Sequence, residues 1–272
     1  MKISVLMENT ASCECFFKKH GLSFFIESDK NILFDMGPDD KFIKNAALMG
    51  IDLNKTDFGV LSHGHYDHGG GLPGFIRRFP EKKVYISKFA LGDFYVRKGD
   101  KTGYIGIDKE VKDSKNLVLT EDFTEINENI FIFSDVTERR FFSSANKALL
   151  KKEEDGLSED DFRHEQNLVV KEGGKAALFS GCAHSGVINI VEKAKDILGR
   201  YPDYVFSGFH LYNPSSGVYE SETLIKDIGN YLKNTGIKFF TCHCTGPEAY
   251  NTLKSILGNK IEYVSAGTVV EI

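Results

Sequence analysis

Apolar residues in this chain come in short runs of three to five, and between them lie segments with apolar positions at three-and-four spacing. Ile3 to Met7, Leu22 to Ile26 and Ile32 to Phe34 read as strands, and the turn set Asp29-Lys30-Asn31 predicts a hairpin between the second and third. Phe42, Ile43, Ala46, Ala47 and Met49 keep helical spacing, with Gly50 as the stop. Phe58 to Leu61 is a further strand, Leu72 to Phe79 a short helix, and Val84 to Ser87 and Ile130 to Phe133 strands again. Residues 88–116 lack a steady period and read mostly as loop with possible short elements. Lys151 to Glu165 is a charged run that reads as a solvated surface excursion, with His164 a surface histidine inside it.

From residue 167 the pattern becomes regular. Leu168 to Val170 and Ala176 to Phe179 predict paired strands around Gly173-Gly174. Three strand–loop–helix units follow. The helices carry Val187 to Leu198 with Gly199 as stop, Glu220 to Leu232, and a last one ending at Leu257 before Gly258. Thr245 and Glu248 have capping-box spacing, and Pro247 suits a first turn. Each unit places a histidine directly after its strand: His184, His210 and His243. The strand at Phe58 to Leu61 does the same with His63-Gly64-His65-Tyr66-Asp67-His68. In layered α/β chains the loops at the carboxyl ends of strands gather on one edge, where sites form. Imidazole and carboxylate so clustered suit a borderline divalent ion such as zinc, while iron and manganese accept the same donors.

Composition narrows the function without naming it. The 272 residues fit one domain spanning 1–272, with no linker that would divide it. A formal net charge of −5 with dispersed Lys and Arg offers no basic face, so nucleic acid is not the expected partner. No apolar run approaches membrane-spanning length, and the apolar stretch at Met1 to Met7 is too short for a signal peptide. Five cysteines, an odd number, point to reduced thiols and a cytoplasmic setting. The expected partner is a small-molecule substrate.

The loop His63-x-His65-x-Asp67-His68, with an earlier strand ending in Asp35-Met36-Gly37, resembles the metallo-β-lactamase superfamily. Glu8-Asn9-Thr10, His20-Gly21-Leu22-Ser23, Gly181-Cys182-Ala183-His184-Ser185-Gly186, Gly208-Phe209-His210-Leu211 and His243-Cys244-Thr245-Gly246 are similar to its dihydropteroate-synthase-like branch. That branch includes the archaeal enzyme that makes the dihydropterin–ribofuranosylaminobenzene phosphate precursor of methanopterin. The resemblance implies an α/β fold, a four-layer αββα sandwich of two mixed sheets with one or two ions along one edge. It also implies that His63, His65 and His184 hold a first ion, and Asp67, His68 and His243 a second. Asp35 would orient a ligand imidazole or the loop backbone.

One position departs from the family pattern. Where a metal-bridging aspartate is expected, the strand ends in Ser207-Gly208-Phe209-His210, and Asp203 lies at its wrong end. His210 then replaces the bridge as a ligand, contacts substrate as an acid, or stands outside as a hydrogen-bonded histidine. Cys182, Cys242 and Cys244 flank ligand positions, either as thiolate donors or as packing beneath the site. The reading that follows is a metal-dependent hydrolase of a small, phosphate-containing ester, using water acidified by the ion, with Asp67 and His210 as catalytic candidates. A dihydropterin-diphosphate:aminobenzoate-type transferase is the alternative, and a metal-bound sensor or binding protein a third. Arg97, Lys98, Lys101, Arg139 and Arg140 are candidates to hold an anionic substrate. Phe94, Tyr95, Tyr104, Tyr212 and Tyr219 are candidates to stack on a pterin.

Overall fold

The structure, a computed structural model, describes residues 1–272. In chain order its first half runs β1 (Lys2–Met7), β2 (Ser23–Glu27), β3 (Asn31–Phe34), α1 (Lys41–Leu48), β4 (Phe58–Val60), α2 (Tyr66–Gly69), α3 (Leu72–Arg78), β5 (Lys83–Ser87), β6 (Phe94–Lys98), β7 (Lys101–Tyr104) and β8 (Leu117–Thr120). The second half runs β9 (Phe123–Asn127), β10 (Ile130–Phe133), β11 (Leu149–Glu153), β12 (Gly156–Glu159), β13 (Asn167–Glu172), β14 (Lys175–Phe179), α4 (Val187–Leu198), β15 (Tyr204–Ser207), β16 (Tyr212–Asn213), β17 (Val218–Tyr219), α5 (Glu222–Leu232), β18 (Lys238–Thr241), α6 (Pro247–Leu257), β19 (Ile261–Tyr263) and β20 (Val269–Glu271).

Two seven-stranded sheets form, ordered β20-β1-β2-β3-β4-β5-β8 and β19-β18-β15-β14-β13-β10-β9. Each is antiparallel at one side and parallel at the other: β3, β4, β5 and β8 run parallel in the first, and β14, β15, β18 and β19 in the second. The strands read as unbroken apolar runs because both faces of each sheet are covered. In β2, Phe24 and Ile26 face the layer between the sheets while Phe25 packs under the outer helices. In β13, Leu168 and Val170 point inward and Val169 outward. Helices α1 and α3 cover one outer face with Phe42, Ala46, Leu72 and Phe75; α4, α5 and α6 cover the other. The result is the four-layer αββα sandwich of two mixed sheets. No helix is long and apolar enough to cross a membrane.

Phe24 sits at the centre of the inter-sheet layer, fully buried against the rings of Phe34, Phe179 and Phe206 at 6.4, 6.4 and 6.1 Å. A Phe24→Ala change removes that contact and leaves a cavity neither sheet can close, so it should cost about 3–5 kcal/mol in urea unfolding. A loss under about 1 kcal/mol would mean that the two sheets slide together to fill it.

Residues 88–116 are mostly loop, and their short elements are β6 and β7, which pair with β11 and β12 as a third, four-stranded sheet. Three expectations need correcting. The charged run 151–165 supplies β11 and β12 as a solvated hairpin, then turns inward, so that Asp160, Phe162, His164 and Glu165 are all buried. Alternation is weak there because these strands are largely exposed, and the third sheet's own core is small: Val96, Leu149 and Phe162. Cys13 and Cys15 are joined as a disulfide rather than reduced. Finally, Gly246 caps α6, and the Thr245 hydroxyl instead accepts the Phe209 amide at 2.9 Å and bonds Thr241 at 2.6 Å, tying two strand-end loops together.

Candidate metal centre

The carboxyl ends of β3, β4, β14, β15 and β18 meet at one edge of the sandwich, and each contributes a loop. After β4, the Ser62 amide donates to Asp35 Oδ1 at 2.7 Å and the Ser62 hydroxyl to Asp35 Oδ2 at 2.8 Å. The one-turn α2 then carries Asp67 and His68 back, and His68 Nδ1 donates to the same Asp35 Oδ2 at 2.6 Å. Asp35 thus holds the loop backbone and one ring at once. Gly181, at the end of β14, approaches so closely that a side chain there would collide with the Ser62 hydroxyl. Of the seven non-glycine residues with positive φ, five lie here: Asp35, Phe162, Ala183, His210 and His243. Such conformations persist only where the surroundings fix them.

His63, His65 and His184 converge, with ring centroids 4.7, 4.9 and 5.0 Å apart. Their Nε2 atoms are buried and have no hydrogen-bond partner, although Asp160 Oδ2 stands 3.7 Å from that of His65. Burial holds all three rings below the ordinary histidine pKa, so they are neutral and keep a lone pair. The tautomer of His184 is fixed. Asn146 Nδ2 donates to the His184 carbonyl at 2.8 Å, which leaves Asn146 Oδ1 to accept from His184 Nδ1 at 3.0 Å. Phe162 stacks flat on the ring at 4.6 Å.

Asp67, His68 and His243 form a second group. His243 Nδ1 donates to Asn9 Oδ1 at 2.8 Å, and its amide donates to Glu8 Oε1 at 2.6 Å. The two Nδ1 donors of His68 and His243 are therefore used, and their Nε2 atoms face each other at 3.3 Å. Asp67 Oδ2 lies 3.2 Å from the Nε2 of His243 and 3.7 Å from that of His68. Neutral rings would aim two lone pairs and a carboxylate at one point. Only a proton or a cation resolves such a cluster of acceptors. The donors in both groups, neutral imidazole and carboxylate, fit a divalent ion.

Without an ion, the proton resides on His68. Burial works against its charge, but the Asp35 and Asp67 carboxylates outweigh burial and push it up to about 9. Its folded pKa lies above the ordinary 6.5, so its share of stability is full below pH 6.5 and is lost as pH rises through about 9. That share is on the order of 3 kcal/mol for a fully buried ring. Chelator-treated protein should therefore lose thermal stability between those two pH values, and the His68→Gln variant should lose much less. Equal losses would show that His68 does not hold the proton.

His210 lines the same edge, its ring 4.2 Å from that of His184. Both its ring nitrogens are buried and neither has a hydrogen-bond partner. Asp203 accepts the Ala176 amide at the far end of its strand. Cys242 is packed between the sheets, whereas Cys182 and Cys244 reach the site.

Several contributors escaped sequence reasoning. His20 Nε2 is 3.3 Å from Asp67 Oδ2 and its ring lies 4.5 Å from His243. His164 is no surface residue: its Nδ1 accepts the Gly64 amide at 2.9 Å and its Nε2 donates to Asp160 Oδ2 at 3.0 Å. Glu165 accepts the amides of His184 and Ser185 at 2.6 and 2.9 Å. Gln166 donates to the Leu61 carbonyl at 2.7 Å. The one signal available was the spacing of Asp160 and His164, a carboxylate and an imidazole one helical turn apart.

Above the histidines opens a cavity of about 290 Å³, walled by Val96, Ile105 and Leu149 and reached by Lys98, Tyr66 and Asn213. Of the five candidate cations, Lys98 alone lines it; Arg139 is bonded to backbone carbonyls and Arg140 lies over the Tyr231 ring. None of the five candidate aromatics lines it, and Phe94 instead packs on His164 at 4.0 Å.

Known proteins are similar to this chain in sequence and fold. Residues 18–163 match the family model of the metallo-beta-lactamase superfamily. An uncharacterized protein of Methanocaldococcus jannaschii is 32% identical over 99% of this chain and 100% of its own. The 7,8-dihydropterin-6-methyl-4-(beta-D-ribofuranosyl)-aminobenzene-5'-phosphate synthase of the same organism is 28% identical over 100% of this chain and 96% of its own. A solved structure described as a metal-dependent hydrolase of the beta-lactamase superfamily superposes with a TM-score of 0.85 at 31% identity, over 100% of this chain and 99% of that one. Agreement of this kind along the entire sequence, with a family model matched over more than half of it, makes the chain a member of the metallo-β-lactamase superfamily.

Proposed function

We propose that this protein is a metal-dependent hydrolase of a small, phosphate-containing ester. The observation that carries the reading is the set of buried, unpartnered imidazole nitrogens on the floor of the 290 Å³ cavity. His63, His65 and His184 would hold one divalent ion, and Asp67, His68 and His243 a second; zinc suits these donors best. A divalent ion in such a site supplies acidified water at neutral pH and positive charge for a developing oxyanion.

The chain's own groups divide the remaining work. Burial raises the Asp67 carboxyl, but His68, His20 and His243 outweigh it and hold it well below the usual carboxylate range. Asp67 is therefore an acceptor that orients what binds beside it, and not the acid. His210 presents two free ring nitrogens to the cavity, so the leaving oxygen can be held, or given a proton, there. The Lys98 ammonium attracts the phosphate, while Val96, Ile105 and Leu149 exclude water around the organic part.

A second reading, transfer of the whole dihydropterin-methyl unit from its diphosphate to an aromatic amine with release of diphosphate, is supported by the likeness to the archaeal synthase over the whole chain. Tyr66, 41% exposed at the cavity, supplies a flat face for it. Metal-loaded protein incubated with a dihydropterin methyl diphosphate, with and without an aminobenzoate, separates the two by product mass. Free hydroxymethyl pterin without amine is the result expected of the hydrolase. Condensed product appearing only with amine would replace that reading by the transferase, and bound substrate without product would leave a sensor.

A further inference from the structure

We propose that Cys182 Sγ is the shared ligand between the two ions, doing with a thiolate what the family does with the aspartate this chain lacks. The inference rests on the two-ion reading above and goes beyond it in naming what joins the ions. The aspartate is missing because β15 is followed by Gly208-Phe209-His210, and the His210 ring does not fill its place. Its nitrogens come within reach of Cys182 and Cys244 but belong to neither the Asp67, His68 and His243 group nor the His63 and His184 group. Cys182 belongs to both. Its sulfur lies within 4.8 Å of the ligand atoms of His63 and His184 on one side and of Asp67, His68 and His243 on the other.

Backbone geometry explains why a cysteine can stand between the loops. Gly181 allows the end of β14 to press against Ser62 and His63, so the next residue emerges at the centre of the site. Ala183 then takes a positive φ of 56°, which turns His184 back toward the first group. Cys182 is 3% exposed, and its Sγ sits 3.2 Å from His68 Nε2. It has no disulfide partner. A thiolate carries more than one lone pair and can join two borderline ions. It also shifts the preference of the site toward zinc, iron or cobalt and away from magnesium or manganese. Binding replaces the S–H bond by sulfur–metal bonds and releases the proton to solvent.

Cobalt(II) gives a readout independent of turnover, because thiolate ligation produces a ligand-to-metal charge-transfer band that imidazole and carboxylate do not. Chelator-treated full-length protein should bind two cobalt ions per chain, with the band growing through both equivalents. Cys182→Ser, nearly the same size, should lose the band and bind one ion in place of two. Cys182→Asp should regain the second ion without the band. Cys244→Ser should keep both ions and the band. A band that saturates at one equivalent would make the thiolate a terminal ligand and overturn the bridge. So would a Cys182→Ser protein that retains two ions and the band; in both cases the two-ion reading would stand. Failure of the unaltered protein to bind any cobalt would sink that reading and the bridge with it. Circular dichroism of each variant separates ligand loss from unfolding.

Discussion

Asp67→Ala and His65→Ala should each yield folded protein with reduced metal content and turnover lowered by about a thousandfold or more, the several kcal/mol that ion-derived stabilisation supplies. Folding should survive because His65 and Asp67 sit at the start of the one-turn α2 at the sheet edge, and the three apolar layers lie elsewhere. Asp67 contributes most, since its Oδ2 is the point on which His20, His68 and His243 converge. Without it, the second group becomes two imidazoles with no carboxylate, and their attraction for a cation falls sharply. Asp35→Asn provides the scale. It leaves every proposed ligand in place but weakens the grip on His68 Nδ1, so a loss of about 10- to 100-fold in metal affinity is expected. Metal content by mass spectrometry and turnover of a phosphoester check all three. Unchanged metal content and full activity in Asp67→Ala and His65→Ala would sink the assignment.

The candidate ligand positions stood out because each histidine follows directly on an apolar run, and strand ends in a layered α/β fold share one edge. Their supports were hidden for physical reasons. Asn146 and Asn9 fix the tautomers of His184 and His243, yet stand 38 and 234 residues from them, so no local pattern relates them. The third sheet carries little alternation because its faces are mostly wet, and β6 and β7 were legible only as possible short elements for that reason. Glu8 lies in a short apolar run and reads as a strand's polar end; in the fold it is fully buried, taking the His243 amide and the Tyr263 hydroxyl. Composition misled most at 151–165. Charge there signals solvent in the hairpin and a buried acceptor six residues beyond its end.

That acceptor, Glu165, leads to the second large expectation. It is 3% exposed, and each of its oxygens takes one backbone amide, from His184 and from Ser185. Those amides belong to a loop in which Ala183 holds a positive φ, so the carboxylate opposes a local strain as well as satisfying two donors. Glu165→Ala leaves both N–H groups buried without a partner. At about 1–3 kcal/mol for each, the loss should reach about 2–6 kcal/mol. For a chain of this size that lowers the thermal midpoint by about 2–4 °C per kcal/mol. Glu165→Gln should recover part of the loss, because its carbonyl oxygen can still accept one amide while its NH₂ meets a donor. The effect should also be uneven across the site. His184 belongs to the first ligand group, so affinity for the first ion should drop, whereas Asp67, His68 and His243 hang from Asp35, Glu8 and Asn9 and should keep theirs. Glu154→Gln, on the exposed turn of the same charged run, should change neither quantity. Equal behaviour of the 154 and 165 variants in thermal unfolding and cobalt titration would show that the run is solvated throughout.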